Sequence, residues 1–469
     1  MISTLLWMSL AFSQAPTTFD THFTGTTLRF DYFHSGTAGE EHISLDRLRQ
    51  EGDWPGSRTR MIDDTQLGKY LFEVLDADSG TLLYSRGFAS IYGEWETTGE
   101  ARGGSWRTFH ESQRFPEPRK PVRLVLKKRD AEGGFVEFFS TSMDPNDRGI
   151  DRSALTTAGT PWTVFETGPP AKRVDLLILG DGYGSGEQET FHQRVKHLTA
   201  QLFASEPFKS HRGDFNVRAV DVVSQDSGIT DPRTKTWHQT ALGLSYDAFG
   251  SERYVLTEQN RAIREVAALA PYDALILLAN NEKYGGGGIF NLWTTAAAGS
   301  GQADYLVVHE FGHSFAGLAD EYYTSPVSYE DFNAPGVEPW EPNITALLDP
   351  KAVKWGDLVP SETPLPTPWS QAEYDVISRA FQAERQELRS SGASEERMNR
   401  YFAEVKKRTE PLLAGEKYAP NVGAFEGAGY QAKGLYRSSV DCIMFTRNPE
   451  HFCPVCSRAI EKVIALYTE

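Results

Sequence analysis

The chain has 469 residues and a formal net charge of −17, with 24% charged and 39% hydrophobic residues. This length suffices for two or three domains with their own cores, and the composition is that of a globular protein. The acidic balance argues against nucleic acid and anionic membrane surfaces as partners, because both are bound by basic surfaces.

Residues 1–15 predict a signal peptide. An apolar run is followed by small residues at a cleavage spacing, either Ala11-x-Ser13 or Ser13-x-Ala15, although the usual basic residue near Met1 is missing. The alternative is a disordered N-terminus. No other run reaches the roughly 18 apolar residues of a membrane span. We therefore expect a protein that is secreted or periplasmic and not membrane-embedded.

Residues 16–150 predict an all-β sandwich. Apolar and polar residues alternate in short segments that are separated by turn residues such as Asp78-Ser79-Gly80. Short strands separated by turns are typical of antiparallel sandwiches. The many aromatic residues are assigned to the core, with a sugar- or peptide-binding face as the alternative. The alternating segments are 26–33, 69–74 and 121–126.

Residues 151–170 are polar and rich in Ser, Thr, Gly and Pro, which predicts a linker between two domains. Residues 171–469 then predict an α/β domain that carries the catalytic site. Buried apolar runs typical of strands alternate with helical segments in this part, as in α/β folds. The predicted strands lie within 174–183, 215–223 and 272–279, and the predicted helices within 187–203 and 251–269.

Four glycines at 285–288 follow the last of these predicted strands. A glycine run beside a buried strand permits close approach of another backbone, so it can form an edge to which an extended peptide adds. A flexible loop is the equal alternative, because glycine runs serve both purposes.

The segment around His309, Glu310 and His313 carries the chemistry of the chain. It matches H-E-x-x-H, and the apolar residues 303–308 before it predict a buried helix. Two histidines four residues apart lie on one face of a helix, where both imidazoles can bind one Zn²⁺ ion. Glu310 can then take a proton from metal-bound water as general base.

Asp320 is the predicted third metal ligand. On a straight helix it would lie roughly 10 Å too far along the axis, so the helix must end near Gly317, where a left-handed residue turns the chain back. Glu321 is the competing candidate, because helix ends cannot be placed to the residue from sequence. Glu330 and Glu338 are weaker choices.

All three cysteines, Cys442, Cys453 and Cys456, lie near the C-terminus. In an exported protein this number predicts one disulfide and one free thiol. The alternative is a closed structural zinc site that the three cysteines form with His451.

Several motifs together resemble those of one peptidase family. They are the run from His309 to Tyr323, Cys442-Ile443-Met444 and the segments 40–46, 82–88, 92–95, 179–183, 425–430 and 436–437. With these motifs the chain is identified as a member of the IgA-peptidase family of zinc metallopeptidases, over nearly its whole length.

The resemblance implies zinc held by His309 and His313, a carboxylate in the Asp320 region as third ligand, and Glu310 as general base. It also implies a metzincin-like site with Met444 in a turn beneath the metal. The chain departs from the usual metzincin pattern, because an Asp stands one residue beyond the position of the usual His ligand.

A second departure concerns the residue that stabilises the transition state, because no Tyr follows Met444 by two residues. Tyr430 and Tyr436 are the main candidates for this role, with Tyr323 and Arg437 as further ones.

We therefore expect a secreted zinc endopeptidase that acts on a protein or peptide substrate. The family name does not establish immunoglobulin as that substrate. Two alternatives remain: a non-catalytic adhesion or glycan-binding protein on a peptidase scaffold, and a zinc-dependent amidase or deacetylase.

Overall fold

The computed structural model describes residues 19–325, 327, 333–334 and 336–468. The predicted signal peptide, 1–15, and the weaker ligand candidate Glu330 lie outside these residues. Among the helices of the described part, none is both long enough and apolar enough to cross a membrane.

The N-terminal domain contains two four-stranded sheets with the orders β5-β1-β2-β8 and β4-β3-β6-β7. Neighbouring strands are antiparallel except for the parallel pair of β2 and β8. The strands are β1 (Phe23–Gly36), β2 (Glu41–Asp53), β3 (Tyr70–Asp76), β4 (Leu82–Phe88), β5 (Arg107–Pro118), β6 (Val122–Arg129), β7 (Phe135–Met143) and β8 (Ile150–Asp151). Short helices also occur, so this part is not purely β: α1 (Phe19–His22), α2 (Ile91–Trp95) and α3 (Gly99–Arg102).

One hydrophobic core joins the two sheets. Phe30 of β1, Phe72 of β3 and Leu124 of β6 belong to it, and the rings of Phe30 and Phe72 lie 6.4 Å apart. Alternate residues of these strands are buried because side chains point to opposite faces of a strand. Most of the aromatic residues of this domain are buried, as predicted, although Trp106 is exposed.

The C-terminal domain is built on a six-stranded sheet with the order β13-β14-β12-β10-β11-β9. The four central strands are parallel, and the two edge strands are antiparallel to their neighbours. All residues of β10 are buried, as expected for a parallel strand covered on both faces. The strands are β9 (Thr160–Phe165), β10 (Val174–Asp181), β11 (Phe215–Asp221), β12 (Ala274–Ala279), β13 (Gly286–Ile289) and β14 (Trp293–Ala297).

Helices cover both faces of this sheet. α4 (Gln188–Leu202) and α6 (Ala303–Ala316) share a core with one face, while α5 (Asn260–Ala267) and α2 of the N-terminal domain share a core with the other. The segment predicted as a linker contains β9, which pairs with β11 and buries part of Trp162. Because α2 belongs to the core on the second face, the N-terminal domain packs directly on the six-stranded sheet.

Buried ion pairs hold the two domains together. Arg29 of β1 is fully buried, and its Nη2 atom lies 2.7 Å from Glu265 Oε1 on α5. Arg114 of β5 donates to the Tyr272 carbonyl at 2.7 Å.

The remaining elements complete the C-terminal domain. β15 (Ile344–Thr345), β17 (Gln431–Arg437) and β16 (Phe425–Ala428) form a small sheet in that order. The helices α7 (Gln371–Ser390) and α8 (Glu395–Ala414) pack against each other, and α9 (Pro454–Tyr467) packs against α6.

Candidate metal centre and active site

The helix α6 carries the H-E-x-x-H motif and ends where the sequence predicted. Gly317 has a φ of 62°, and its N–H donates to the His313 carbonyl at 3.0 Å. Such a left-handed C-cap favours glycine and reverses the chain direction. The following residues therefore return along the face of the helix that carries the histidines.

The two predicted histidines and Asp320 converge at one point. His309 Nε2 and His313 Nε2 lie 3.2 Å apart, and Asp320 Oδ1 lies 3.1 Å from the first and 3.2 Å from the second. Asp320 is buried. The chain thus brings two imidazoles and one carboxylate together through a helix and the turn that follows it.

The hydrogen bond of the Nδ1 atom determines the tautomer of each imidazole ring. His309 Nδ1 donates to the Ile443 carbonyl at 2.9 Å, and His313 Nδ1 donates to the Leu318 carbonyl at 2.5 Å. A carbonyl can only accept, so the proton of a neutral imidazole must be on Nδ1. The lone pairs of both Nε2 atoms then face Asp320, as in metal-binding histidines with a second hydrogen-bond partner.

Three nitrogen and oxygen atoms in such close contact favour a positive charge between them. Asp320 Oδ1 is buried and has no hydrogen-bond partner in the described structure. Metal–ligand bonds of about 2.0–2.1 Å in a tetrahedral site place two ligand atoms about 3.3 Å apart, close to the separations seen here. The residues therefore fit a divalent ion that accepts nitrogen and oxygen ligands.

The charges in the site agree with this arrangement. Burial alone would lower the pKa of His313, but the neighbouring Asp320 carboxylate raises it to about 9. Burial would likewise raise the pKa of Asp320, yet His313 and His309 hold it well below its usual range. A positive charge is thus favoured where the three side chains meet.

Glu321, the competing third ligand, points away from the histidines. Its Oε1 atom accepts from Asn343 Nδ2 at 3.0 Å and lies 3.4 Å from Cys456 Sγ. Asp320 and Glu321 are adjacent in a non-helical segment, where successive side chains point to opposite sides. Glu338 also points away from the histidines, and its Oε1 atom lies 3.0 Å from Lys354 Nζ.

Tyr430 contacts the metal centre in a role that the sequence did not predict. Its hydroxyl donates to Asp320 Oδ2 at 2.6 Å, so it orients the ligand carboxylate. Tyr436 lies on β17 opposite Thr345 and does not line the cavity beside the histidines. A role for Tyr436 in stabilising the transition state therefore stays a prediction.

The two further candidates for transition-state stabilisation are also engaged elsewhere. The Tyr323 hydroxyl donates to Asp375 at 2.7 Å. Arg437 is fully buried and donates to the carbonyl groups of Gly427 and Val440. Neither residue lines the cavity.

Met444 lies behind α6, on the side away from the cavity. Its sulfur is within 3.1 Å of the position that a Cβ on Gly312 would occupy, and the Phe452 ring is within 2.8 Å of it. Glycine at 312 is thus needed for the close packing of the helix on these side chains. The preceding residue, Ile443, supplies the carbonyl that holds His309.

Two models of known protein families match the chain. A family model described as IgA Peptidase M64 matches residues 163–464, more than half of the chain. The chain belongs to the IgA peptidase M64 family. A second model, described as Peptidase M64 N-terminus, matches residues 18–140, so the M64 arrangement of two domains is present. No curated protein matches the chain. Membership of the M64 family makes the protein a peptidase.

A cleft with a volume of about 240 Å³ lies above the histidines of this M64 chain. Glu310 and His313 lie on its floor, and Glu94 of the N-terminal domain borders it. Burial raises the pKa of Glu310, although His309 and His313 oppose this effect. A carboxylate with a raised pKa can both accept and return a proton near neutral pH.

The glycines of β13 support this floor. A Cβ on Gly288 would come within 2.2 Å of the Glu310 carbonyl, and a Cβ on Gly287 within 2.2 Å of the Tyr254 ring. The run forms an ordered strand that α6 approaches closely, and not the flexible loop of the alternative.

Several cleft residues were not found from sequence. Arg253, Tyr322, Arg385 and Arg447 line the cavity but come from segments far apart in the chain. Of these four residues only Tyr322 lies in a motif, the run from His309 to Tyr323. Only the fold and the apolar character of the residues around them place these four side chains on one wall of the cavity.

Proposed function

We propose that this M64 protein is a zinc-dependent endopeptidase. The observation that carries the proposal is the convergence of three possible ligand atoms, His309 Nε2, His313 Nε2 and Asp320 Oδ1, on the floor of an open cleft. Nitrogen and carboxylate ligands of this kind suit zinc, and three protein ligands leave a coordination position open. The signal-like residues 1–15 support export to the periplasm or the medium.

Zinc bound here would supply Lewis acidity toward the scissile carbonyl and lower the pKa of a bound water molecule. Glu310 lies beside the two histidines, where its carboxylate takes a proton from the attacking water and returns it to the leaving amine. The Ile443 and Leu318 carbonyls keep both imidazoles oriented, and the Tyr430 hydroxyl keeps Asp320 in place.

Arg253 and Tyr322 are the proposed stabilisers of the developing negative charge. Both line the cavity, and Arg253 Nη2 donates to the Tyr322 hydroxyl at 2.9 Å. A fixed guanidinium and a polarised hydroxyl are suitable donors to a carbonyl oxygen that gains charge.

The wall of the cleft indicates an anionic group on the substrate. Within the described residues, Arg253, Arg385 and Arg447 line the cavity and none forms a salt bridge. Burial and the neighbouring Arg253 and Arg447 lower the pKa of Arg385 to about 9. Crowding of like charges in a partly buried wall favours binding of a carboxylate, such as an Asp or Glu side chain of a peptide.

Proteome-derived peptide libraries test the proposal. We expect wild-type protein with zinc to cleave internal peptide bonds near acidic residues, and the isosteric Glu310→Gln variant to retain zinc without cleaving. Equal behaviour of the two proteins would support the non-catalytic binding protein instead. Release of acetyl groups or ammonia without new peptide termini would support the amidase.

A further inference from the structure

A second group of metal-ligating side chains lies behind the active site. Glu321, Cys442, Cys453 and Cys456 are all buried, and one ligand atom from each lies within 4.8 Å of every other. None of the four lines the cleft. His451, the fourth ligand of the sequence-based zinc alternative, is exposed, and Glu321 occupies the place that was assigned to it.

The spacing of these atoms suits an ion. Cys442 Sγ lies 3.8 Å from Cys456 Sγ, and Cys456 Sγ lies 3.4 Å from Glu321 Oε1. A tetrahedral ion with bonds of about 2.3 Å to sulfur separates two sulfur ligands by about 3.8 Å. The predicted disulfide is not formed in the structure, in which all three cysteines are free thiols.

Glu321 lacks the partners that a buried carboxylate needs. Its Oε2 atom is buried without a hydrogen-bond partner in the described structure. The nearby Arg437 guanidinium donates to the backbone carbonyls of Gly427 and Val440 and not to this carboxylate. A buried carboxylate without pairing is costly, so the cluster favours a cation.

Backbone N–H groups donate to two of the three sulfur atoms in this cluster. Cys453 is the N-cap of α9, and the Cys456 N–H donates to Cys453 Sγ at 3.5 Å. The Cys453 N–H donates to Cys442 Sγ at 3.4 Å. Hydrogen bonds from a helix N-terminus stabilise negative sulfur, the form that binds metals.

We propose that Cys442, Cys453, Cys456 and Glu321 hold a structural zinc ion that is separate from the ion of the active site. Three sulfur ligands favour zinc among common divalent metals, and four protein ligands without access from the cleft characterise a structural site. The proposal does not depend on the peptidase mechanism.

This ion would tie together the two segments that shape the active site. Glu321 follows the ligand Asp320, and its N–H donates to the Met444 carbonyl at 2.9 Å. Cys442 precedes Ile443, whose carbonyl holds His309. The structural ion thus acts as a positioning element for both the third ligand and one histidine.

Metal analysis of the full chain tests the proposal without any measurement of activity. We expect two zinc ions per chain in the wild type and one in the double variant His309→Ala/His313→Ala. In that double variant, an organomercurial thiol reagent should release the remaining ion, and cobalt substitution should give thiolate-to-cobalt charge-transfer absorption. Adding Cys456→Ser should remove the last ion.

Glu321→Gln provides a milder variant, with Glu426→Gln as the matched control because the Glu426 side chain pairs with Lys433 at the surface. We expect weaker retention of the cysteine-bound ion only in Glu321→Gln. A folded double-histidine variant without metal, or a disulfide found by mass spectrometry of unreduced protein, would overturn the proposal. One zinc ion per chain in both the wild type and the double variant would refute only the zinc ion proposed for the active site, and not the ion proposed for the cysteine cluster.

Discussion

Replacement of Tyr430 by Phe distinguishes two roles of its hydroxyl, which are orientation of the Asp320 ligand and stabilisation of the transition state. In the structure the hydroxyl donates to Asp320 Oδ2 at 2.6 Å, on the far side of the proposed ligand atom. A hydrogen bond to a charged group contributes about 1.5–3 kcal/mol, which corresponds to roughly a 10- to 100-fold change in an equilibrium constant. Loss of an outer partner of a metal ligand has effects of the same order on metal affinity.

We therefore expect Tyr430→Phe to bind zinc at the active site about 10- to 100-fold more weakly than the wild type. Competition with a chromophoric chelator measures this affinity, and peptide cleavage at saturating zinc measures the remaining activity. Tyr436→Phe is the matched control, because that hydroxyl lies outside the cleft. Unchanged zinc affinity with a large loss of kcat would refute the reasoning and return Tyr430 to transition-state stabilisation.

Three further predictions follow from the site. Glu310→Gln should keep the metal content of the wild type. Its rate of peptide cleavage should fall at least 100-fold, as expected for loss of a general base. Loss of metal from this variant would contradict the role of Glu310 as general base. Arg385→Gln should raise KM for peptides with an acidic residue by about tenfold, since one charged hydrogen bond is removed, with little change for neutral peptides. Gly312→Ala should lower the free energy of unfolding by about 1–3 kcal/mol through overpacking, measured by denaturant titration.

The Arg385 and Gly312 variants each have a control in the chain. Arg400→Gln removes an exposed arginine of α8 that pairs with Glu396, and it should leave cleavage of acidic peptides unchanged. Gly213→Ala places a methyl group in open space, so its stability should match the wild type. Equal effects of Arg385→Gln on KM for acidic and neutral peptides would show that the arginine wall, formed by Arg253, Arg385 and Arg447, does not select the charge of the substrate.

The sequence alone determined the parts of this protein that depend on neighbouring residues. The helical spacing of His309 and His313 and the reversal at Gly317 follow from periodicity and from the conformational freedom of one glycine, so both could be predicted. The central strands were also predictable, because long apolar runs bounded by turns have few alternatives.

Features that depend on distant packing were decided only by the tertiary structure. Asp320 and Glu321 are adjacent and chemically alike, and the choice between them depends on which side of the segment faces α6 and which faces the cysteines. The same holds for Tyr430, whose hydroxyl contacts Asp320 from 110 positions away. Local patterns contain no information on such contacts.

The predicted linker and the arginine wall also depend on contacts between distant parts of the chain. Residues 151–170 are rich in Ser, Thr, Gly and Pro, as linkers are, yet residues 160–165 within them pair with the edge of the six-stranded sheet because β11 offers an unpaired strand there. Arg253, Arg385 and Arg447 lie in unrelated segments, and their shared wall exists only because the fold places a loop, α7 and the loop before α9 around one cavity. Side-chain chemistry is encoded locally, whereas its assembly into a site requires the whole chain.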